Sequence, residues 1–168
     1  MAVTYEPIAT TTLSSTSAIV TFSSIPATYT DLYLTIVGTA SSQGTMKIRF
    51  NNDSGNNYSR LRLTGSGTSA STTQSNNLTN LEGGTEFNDN TMPPSFFACD
   101  IFGYANTSIY KTALLRTQSD RNGTGEIAYV ASTWRSTSAI NRLDFSLNWS
   151  NWNFAVGTTA TLYGIKAA

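Results

Sequence analysis

The sequence predicts an all-β fold, an antiparallel β-sandwich of two sheets that is jelly-roll-like and has about ten strands. Three observations predict it. Apolar and polar residues alternate with a period of two, clusters of turn-forming residues separate these segments, and no segment has the period of a helix. Composition agrees, because Ser and Thr supply 48 of the 168 residues and charged residues only 12%, so the side chains usual on exposed helix faces are scarce.

Each predicted strand is a short segment in which alternate residues are apolar. Such a strand buries one face, so we expect residues such as Leu61 and Leu63 to point into the core. Because nothing helical lies between the strands, βαβ units are excluded and the sheets should be antiparallel. The predicted strands lie at residues 3–5, 18–22, 32–36, 46–50, 61–63, 96–102, 110–117, 127–131, 143–147 and 160–165.

Residues 65–94 break this pattern and are predicted to form a long loop rich in Gly, Ser, Thr and Asn. Its few apolar residues, among them Leu78, Leu81 and Phe87, could fasten the loop over a sheet edge or bury against a neighbouring copy in an assembly. Loops of this length in a compact domain are usually functional or disordered. We treat these three residues as candidate partner contacts, and both alternatives stay open.

Length and charge narrow the classes of function. A chain of 168 residues has the size of one domain, so we expect a single unit over residues 1–168. Ten Lys and Arg balance ten Asp and Glu, which leaves no net field to attract nucleic acid or an acidic membrane and favours self-assembly. Residues 1–12 have no basic start followed by an apolar run, so we expect no cleaved signal and no membrane span.

The residue types that catalysis needs are few. The chain has no histidine, which removes the Ser-His-Asp triad, the commonest general base near neutral pH and most zinc ligation. Glu82, Glu86 and Asp89 lie close in sequence, as do Asp120 and Glu126, but with ten acidic residues such proximity arises by chance. We therefore predict that the protein is not an enzyme and has no catalytic residues and no cofactor.

Two further segments contain residue types that can bind a metal or react as a nucleophile. Residues 51–57 place oxygen donors around Gly55, as a calcium loop does, but they carry one carboxylate, Asp53, and lack the terminal bidentate Glu. A turn whose Asn and Asp side chains bond their own backbone is the better interpretation, so no metal site is predicted. The single cysteine, Cys99, lies in an apolar segment and is predicted to be a small buried strand residue.

A cluster of aromatic and amide residues at 149–154 lies between the last two predicted strands, and therefore near one end of the sandwich. One or two of its rings could close the end of the core. Indoles beside amides are also typical of protein interfaces and of sugar-binding sites. Trp149, Asn151, Trp152 and Asn153 are therefore candidate contacts to a partner or a glycan, and both interpretations stay open.

Seven segments spread over nearly the whole chain carry a family resemblance: 5–9 (YEPIA), 20–26 (VTFSSIP), 29–32 (YTDL), 49–59 (RFNNDSGNNYS), 138–140 (SAI), 154–157 (FAVG) and 162–165 (LYGI). They resemble a family of small virion proteins of tailed phages. Its members decorate the capsid as free-standing proteins or form the distal domain of tail fibres and spikes. The resemblance implies a β-sandwich that assembles as a trimer, and it brings no catalytic residues with it.

The expected function is therefore structural. We expect a trimeric cement or decoration protein on the outer capsid surface of a virion, with two further copies and the major capsid protein as its partners. The alternative is a receptor-binding tip domain of a tail fibre or spike that adsorbs to host surface glycans. The chain starts with Met1, enters its first strand directly and has no repetitive stalk, which favours the decoration protein. Nucleic acid and membrane are not expected partners.

Overall fold

The protein is an all-β sandwich, as the sequence predicts. The computed structural model describes residues 4–149 and 151–166. Within these residues twelve strands form two antiparallel sheets, one of eight strands and one of four. Val3, which belongs to the first predicted strand, lies outside the described residues. The strands are β1 (Thr4–Thr12), β2 (Ile19–Phe22), β3 (Asp31–Gly38), β4 (Gly44–Phe50), β5 (Tyr58–Gly65), β6 (Ala70–Leu78), β7 (Leu81–Phe87), β8 (Ser95–Phe102), β9 (Lys111–Asp120), β10 (Gly125–Trp134), β11 (Leu143–Leu147) and β12 (Thr159–Lys166).

Eight of these strands follow the winding of a jelly roll. β1 pairs with β12, β2 with β11, β3 with β8 and β4 with β7, and all four pairs are antiparallel. A long hairpin wound on itself gives this pairing, and it places the strands in the orders β1-β12-β3-β8 and β2-β11-β4-β7. The predicted jelly-roll-like sandwich is confirmed.

The other four strands widen one of the two sheets. β5 and β6 are inserted between β4 and β7 in the chain, and β9 and β10 between β8 and β11. All four join the same sheet, which continues as β8-β9-β10-β5-β6. β6 is consequently the last strand of the eight-stranded sheet, and its side chains from Ala70 to Gln74 are exposed on both faces.

The core lies between the inner faces of the two sheets. In β3, Leu32, Leu34 and Ile36 are buried at alternate positions, as the sequence pattern predicts. Cys99 of β8 is fully buried beside them, also as predicted, and this burial raises the pKa of its thiol. Trp134, the last residue of β10, closes the core near the turn at 51–57.

The connecting segments lie at two opposite ends of the sandwich. We call one the upper end and the other the lower end, since the strand pairing fixes the end to which each segment belongs. The upper end consists of residues 13–18, 39–43, 66–69, 88–94, 121–124, 148–149 and 151–158. The lower end consists of residues 23–30, 51–57, 79–80, 103–110 and 135–142.

The prediction of a long loop at 65–94 is wrong, because this stretch contains β6 and β7. These are the two strands that raise the count from about ten to twelve. β6 shows no alternation since most of its side chains face solvent on both sides. β7 carries Gly83 and Gly84 where a core strand usually has large side chains. A Cβ on Gly84 would lie 2.1 Å from the Cβ of Ala128, so the close approach of the two sheets here requires glycine.

Gly84→Ala should lower the free energy of unfolding by about 1–3 kcal/mol, because the added methyl group overlaps Ala128 of the facing sheet. Gly65→Ala is the matched control. A Cβ at Gly65 would meet only Ile127, at an ordinary contact distance of 3.7 Å. Urea unfolding of both variants checks the prediction, and equal stability of the two would contradict the close approach of β7 and β10.

Candidate functional site

The aromatic cluster at 149–154 lies at the upper end, and its rings divide between the two predicted roles. Phe154 is buried and packs edge-to-face on Phe87, with ring centroids 5.7 Å apart. Trp152 is half-buried against the core. Trp149 is 60% exposed, and its ring centroid lies 5.7 Å from that of Trp152. Phe154 and Trp152 therefore close the core, while Trp149 presents its indole to solvent.

The two asparagines of this cluster also differ in their exposure to solvent. Asn151 is exposed. Asn153 is half-buried and held by its backbone, whose N–H donates to Ser41 Oγ at 3.0 Å and whose carbonyl accepts from Ser41 N–H at 2.8 Å. Trp149 and Asn151 are thus the members of the predicted contact set that point away from the fold. Residue 150 lies outside the described residues.

The predicted partner contacts in the 65–94 stretch are largely part of the fold itself. Leu81 and Phe87 are the two ends of β7 and are buried in the core. The prediction that they contact a partner is therefore wrong for both. Leu78 is half-buried and packs against the same core.

The turn at 51–57 is held together by the Asp53 carboxylate. Its oxygens accept hydrogen bonds from Trp134 Nε1 at 2.6 Å, Asn57 Nδ2 at 2.8 Å and the Gly55 N–H at 2.7 Å. Burial alone would raise the pKa of Asp53, but these hydrogen bonds outweigh it and hold the pKa below its ordinary value of 3.8. The interpretation of this segment as a self-bonded turn is confirmed.

Asp53→Asn should destabilise the protein by about 1–2 kcal/mol at pH 7, since an amide loses the charge-assisted bonds to Trp134 and Gly55. The folded pKa lies below the unfolded one, so this contribution is complete at neutral pH and is lost as the pH falls through the folded pKa. The difference between wild type and variant in urea unfolding should therefore shrink between about pH 5 and pH 2. Asp120→Asn, at the exposed end of β9, is the control. A difference that stays constant down to the lowest pH would refute this role of Asp53.

The carboxylates that lie close in sequence are engaged in separate contacts. Glu82 pairs with Arg60, and Glu86 pairs with Arg121 at 2.9 Å. Asp89 accepts hydrogen bonds from Thr91, which hold the pKa of Asp89 below its usual value. In the part of the chain that the structure describes, no group of three or more His, Cys, Asp or Glu side chains could hold a metal ion. The same residues include no helix long and apolar enough to cross a membrane.

The two outer faces of the sandwich differ in charge. The outer face of the four-stranded sheet carries basic and acidic residues on three strands, namely Lys47, Arg49, Glu82, Glu86 and Asp144. On the face of the eight-stranded sheet, Asp100 of β8 and Arg116 of β9 are diagonal neighbours in the strand pairing and form an ion pair of 2.6 Å. The second face is therefore close to neutral over its central strands.

Four apolar side chains stand on that neutral face beside its open edge, and we call them the outer stripe. Leu61 and Leu63 of β5 are 57% and 49% exposed, and Ile127 and Tyr129 of β10 are 56% and 52% exposed. Leu63 lies directly opposite Tyr129 in the strand pairing. Cross-strand neighbours of this kind form one continuous surface. The outer stripe is thus a contiguous apolar patch that the fold of a single chain does not bury.

The outer stripe continues as a band across the upper half of this face. Strand pairing places Ile127 opposite Gln118, Gln118 opposite Phe96 and Phe96 opposite Val37. Phe96 and Val37 are both partly exposed, and the Phe96 N–H donates to Gln118 Oε1 at 3.2 Å. Exposed apolar side chains therefore reach from β5 to β3.

Sequence reasoning did not find the outer stripe, because it expected Leu61 and Leu63 to point into the core. The structure shows the reverse. Arg60 and Arg62 point inward, where Arg60 pairs with Glu82 and Arg62 Nη1 donates to the Gly84 carbonyl at 3.3 Å. A period of two shows which residues share a face, but not which face is covered. The two arginines that alternate with the leucines fit either orientation.

Comparison of the chain with family models, curated proteins and solved structures finds no match. The fold defines the protein as a jelly-roll sandwich with one widened sheet. Its candidate sites are the outer stripe and the exposed indole of Trp149.

Proposed function

We propose that the protein is a structural component of a tailed-phage particle, a trimeric decoration protein that binds the outer capsid surface and bridges capsid subunits. The observation that carries the proposal is the outer stripe, an apolar patch on a neutral sheet face. Contiguous exposed apolar patches are typical of protein interaction sites. The resemblance of seven segments to phage virion proteins, and the sandwich fold that it implies, also support the proposal.

The surroundings of the outer stripe resemble those of a protein interface. Stable interfaces have an apolar centre and a polar rim. On one side the outer stripe borders Thr72 and Gln74 of β6, and on the other side it borders Arg116 and Gln118 of β9. Hydroxyl and amide groups at the rim can exchange hydrogen bonds with water for hydrogen bonds with a partner at little cost in free energy. When many copies make such a weak contact with one particle, avidity gives a decoration protein stable binding.

The contrast between the two faces gives the protein an orientation in this role. With the outer stripe against the capsid, the four-stranded sheet and its charges face solvent. Charges of both signs on the outward surface keep particles soluble and apart. The bound protein would therefore add a charged coat to the particle while it ties subunits together beneath.

Leu63→Lys should weaken binding to purified capsids by at least about tenfold, because a buried, unpaired ammonium replaces an apolar contact. Ile19→Lys is the matched control, since Ile19 has the same 49% exposure but lies on β2, on the charged face. Co-sedimentation with empty capsids measures both. If Ile19→Lys weakens binding as much as Leu63→Lys, the proposed orientation is wrong; if the wild type does not bind capsids, the proposed function is wrong.

The upper end favours a second candidate function, binding of host surface glycans as the tip domain of a tail fibre or spike. The observation for it is Trp149, an exposed indole beside Trp152 with the exposed amide of Asn151 nearby. Aromatic rings and amides are the groups that bind sugar faces and hydroxyls. Immunogold labelling of intact particles separates the two functions, since one places the protein on the head and the other at the tail tip.

Trp149→Ala should abolish any signal on a glycan array while changing the free energy of unfolding by less than about 0.5 kcal/mol, because the ring is exposed. Val156→Ala, which removes an equally exposed apolar side chain from the same end, is the control. Wild-type protein that binds no glycan, or glycan binding that survives Trp149→Ala, would speak against the second function.

A further inference from the structure

We propose that β6 pairs with β6 of a second copy of this chain, so that two eight-stranded sheets join edge to edge. The edge of a sheet presents unpaired backbone N–H and C=O groups, and folded proteins usually protect it with charges, proline, bulges or short strands. β6 has none of these over residues 70–75, which pair regularly with β5 and contain only Ala, Ser, Thr and Gln. A bulge lies beyond this stretch, where Asn77 has φ +54°.

The other sheet edges among the described strands are protected. β1 contains Pro7 and a bulge after it, and Glu6 pairs with Lys166 at 3.0 Å. β2 is four residues long. β7 is covered by two arginines of β5, which bond to Glu82 and to the Gly84 carbonyl. β6 therefore stands apart from the other three edges as a long edge that is open to pairing.

The chemistry of β6 favours a second β6 as its occupant. Antiparallel pairing of two copies places Ser, Thr and Gln opposite Ser, Thr and Gln, so no like charges meet in any register. Thr–Thr and Thr–Ser neighbours across strands stabilise a sheet through their hydroxyl groups. Because the protected edges of the same chain do not offer a matching strand, the pairing is isologous and closes as a two-fold dimer.

The two-fold axis of such a pair is perpendicular to the sheet, so both outer stripes lie on the same side of the joined sheet. This role of the pairing rests on the proposed function. Copies bound to a shell through the outer stripe are related by axes perpendicular to the shell, which is the geometry that β6 pairing requires. Neighbouring trimers would thus be linked through β6 into a continuous network around the particle.

Sedimentation of the purified protein tests the pairing without capsids. The double variant Thr72→Lys/Thr73→Lys places like charges near the two-fold axis in either central register, and should lower the constant for two-fold association at least about tenfold. Thr10→Lys/Thr12→Lys adds the same charges to β1, the other edge of the same sheet, and should sediment as the wild type. Equal loss of association in both double variants would overturn the proposal, because it would indicate a general charge effect.

Disulfide trapping supplies a second readout that does not need strong association. Cys99 is fully buried, so an introduced cysteine is the exposed thiol in each variant. Ser71→Cys, Thr72→Cys and Thr73→Cys sample positions on both sides of the axis, and at least one of them should form a covalent dimer under mild oxidation. Thr10→Cys on β1 is the control. If no β6 variant cross-links faster than Thr10→Cys, and the lysine variant sediments as the wild type, the proposal fails.

Failure of this proposal is distinguishable from failure of the proposed function. Capsid binding depends on the outer stripe and is measured by co-sedimentation with capsids, whereas β6 pairing is measured on the protein alone. A β6 variant that no longer pairs but still binds capsids supports both proposals. A wild type that pairs through β6 and does not bind capsids supports the pairing alone.

Discussion

The unequal width of the two sheets is the constraint on which the rest of the structure depends. The core of a sandwich must be covered by a sheet on each side, but a sheet of four strands cannot cover the whole inner face of a sheet of eight. β7 packs on β5, β9 and β10. Where β5 passes the edge of β7, the inward side chains of β5 are Arg60 and Arg62, which bond to Glu82 and to the Gly84 carbonyl instead of packing on an apolar neighbour. With the arginines inward, the alternation of β5 turns Leu61 and Leu63 outward. The outer stripe is thus a consequence of sheet width.

The sequence predicts those parts of the fold in which local pattern and burial agree. Leu32, Leu34 and Ile36 alternate because one face of β3 is covered, and the same holds for most strands of the jelly roll. β6 and β7 escape prediction for opposite reasons. β6 has solvent on both faces and therefore no apolar side to mark it, whereas β7 is packed so closely that Gly83 and Gly84 replace the side chains that would mark it.

The sequence predicts the position of the cluster at 149–154 but not the outer stripe, because only the former follows from local sequence. The position of residues 149–154 between two strands predicts that the cluster lies at one end of the sandwich, and this is confirmed. Which ring points outward could not be read from it, because a loop has no fixed period and Trp149, Trp152 and Phe154 are all large aromatic residues. The outer stripe depends on contacts between β5 and β7 across the sandwich, so no pattern within β5 alone could reveal it.

The place of β12 in the eight-stranded sheet constrains how the chain can fold. β12 lies between β1 and β3, so the first and third strands gain their common neighbour only when β12 is available. The hydroxyls of Thr12 and Thr159, 147 positions apart, hydrogen-bond to each other at 2.9 Å. Pairings of such long range are slow to form because a large loop must close first. A nascent chain on the ribosome therefore holds β1 and β3 without their common neighbour until β12 has been synthesised.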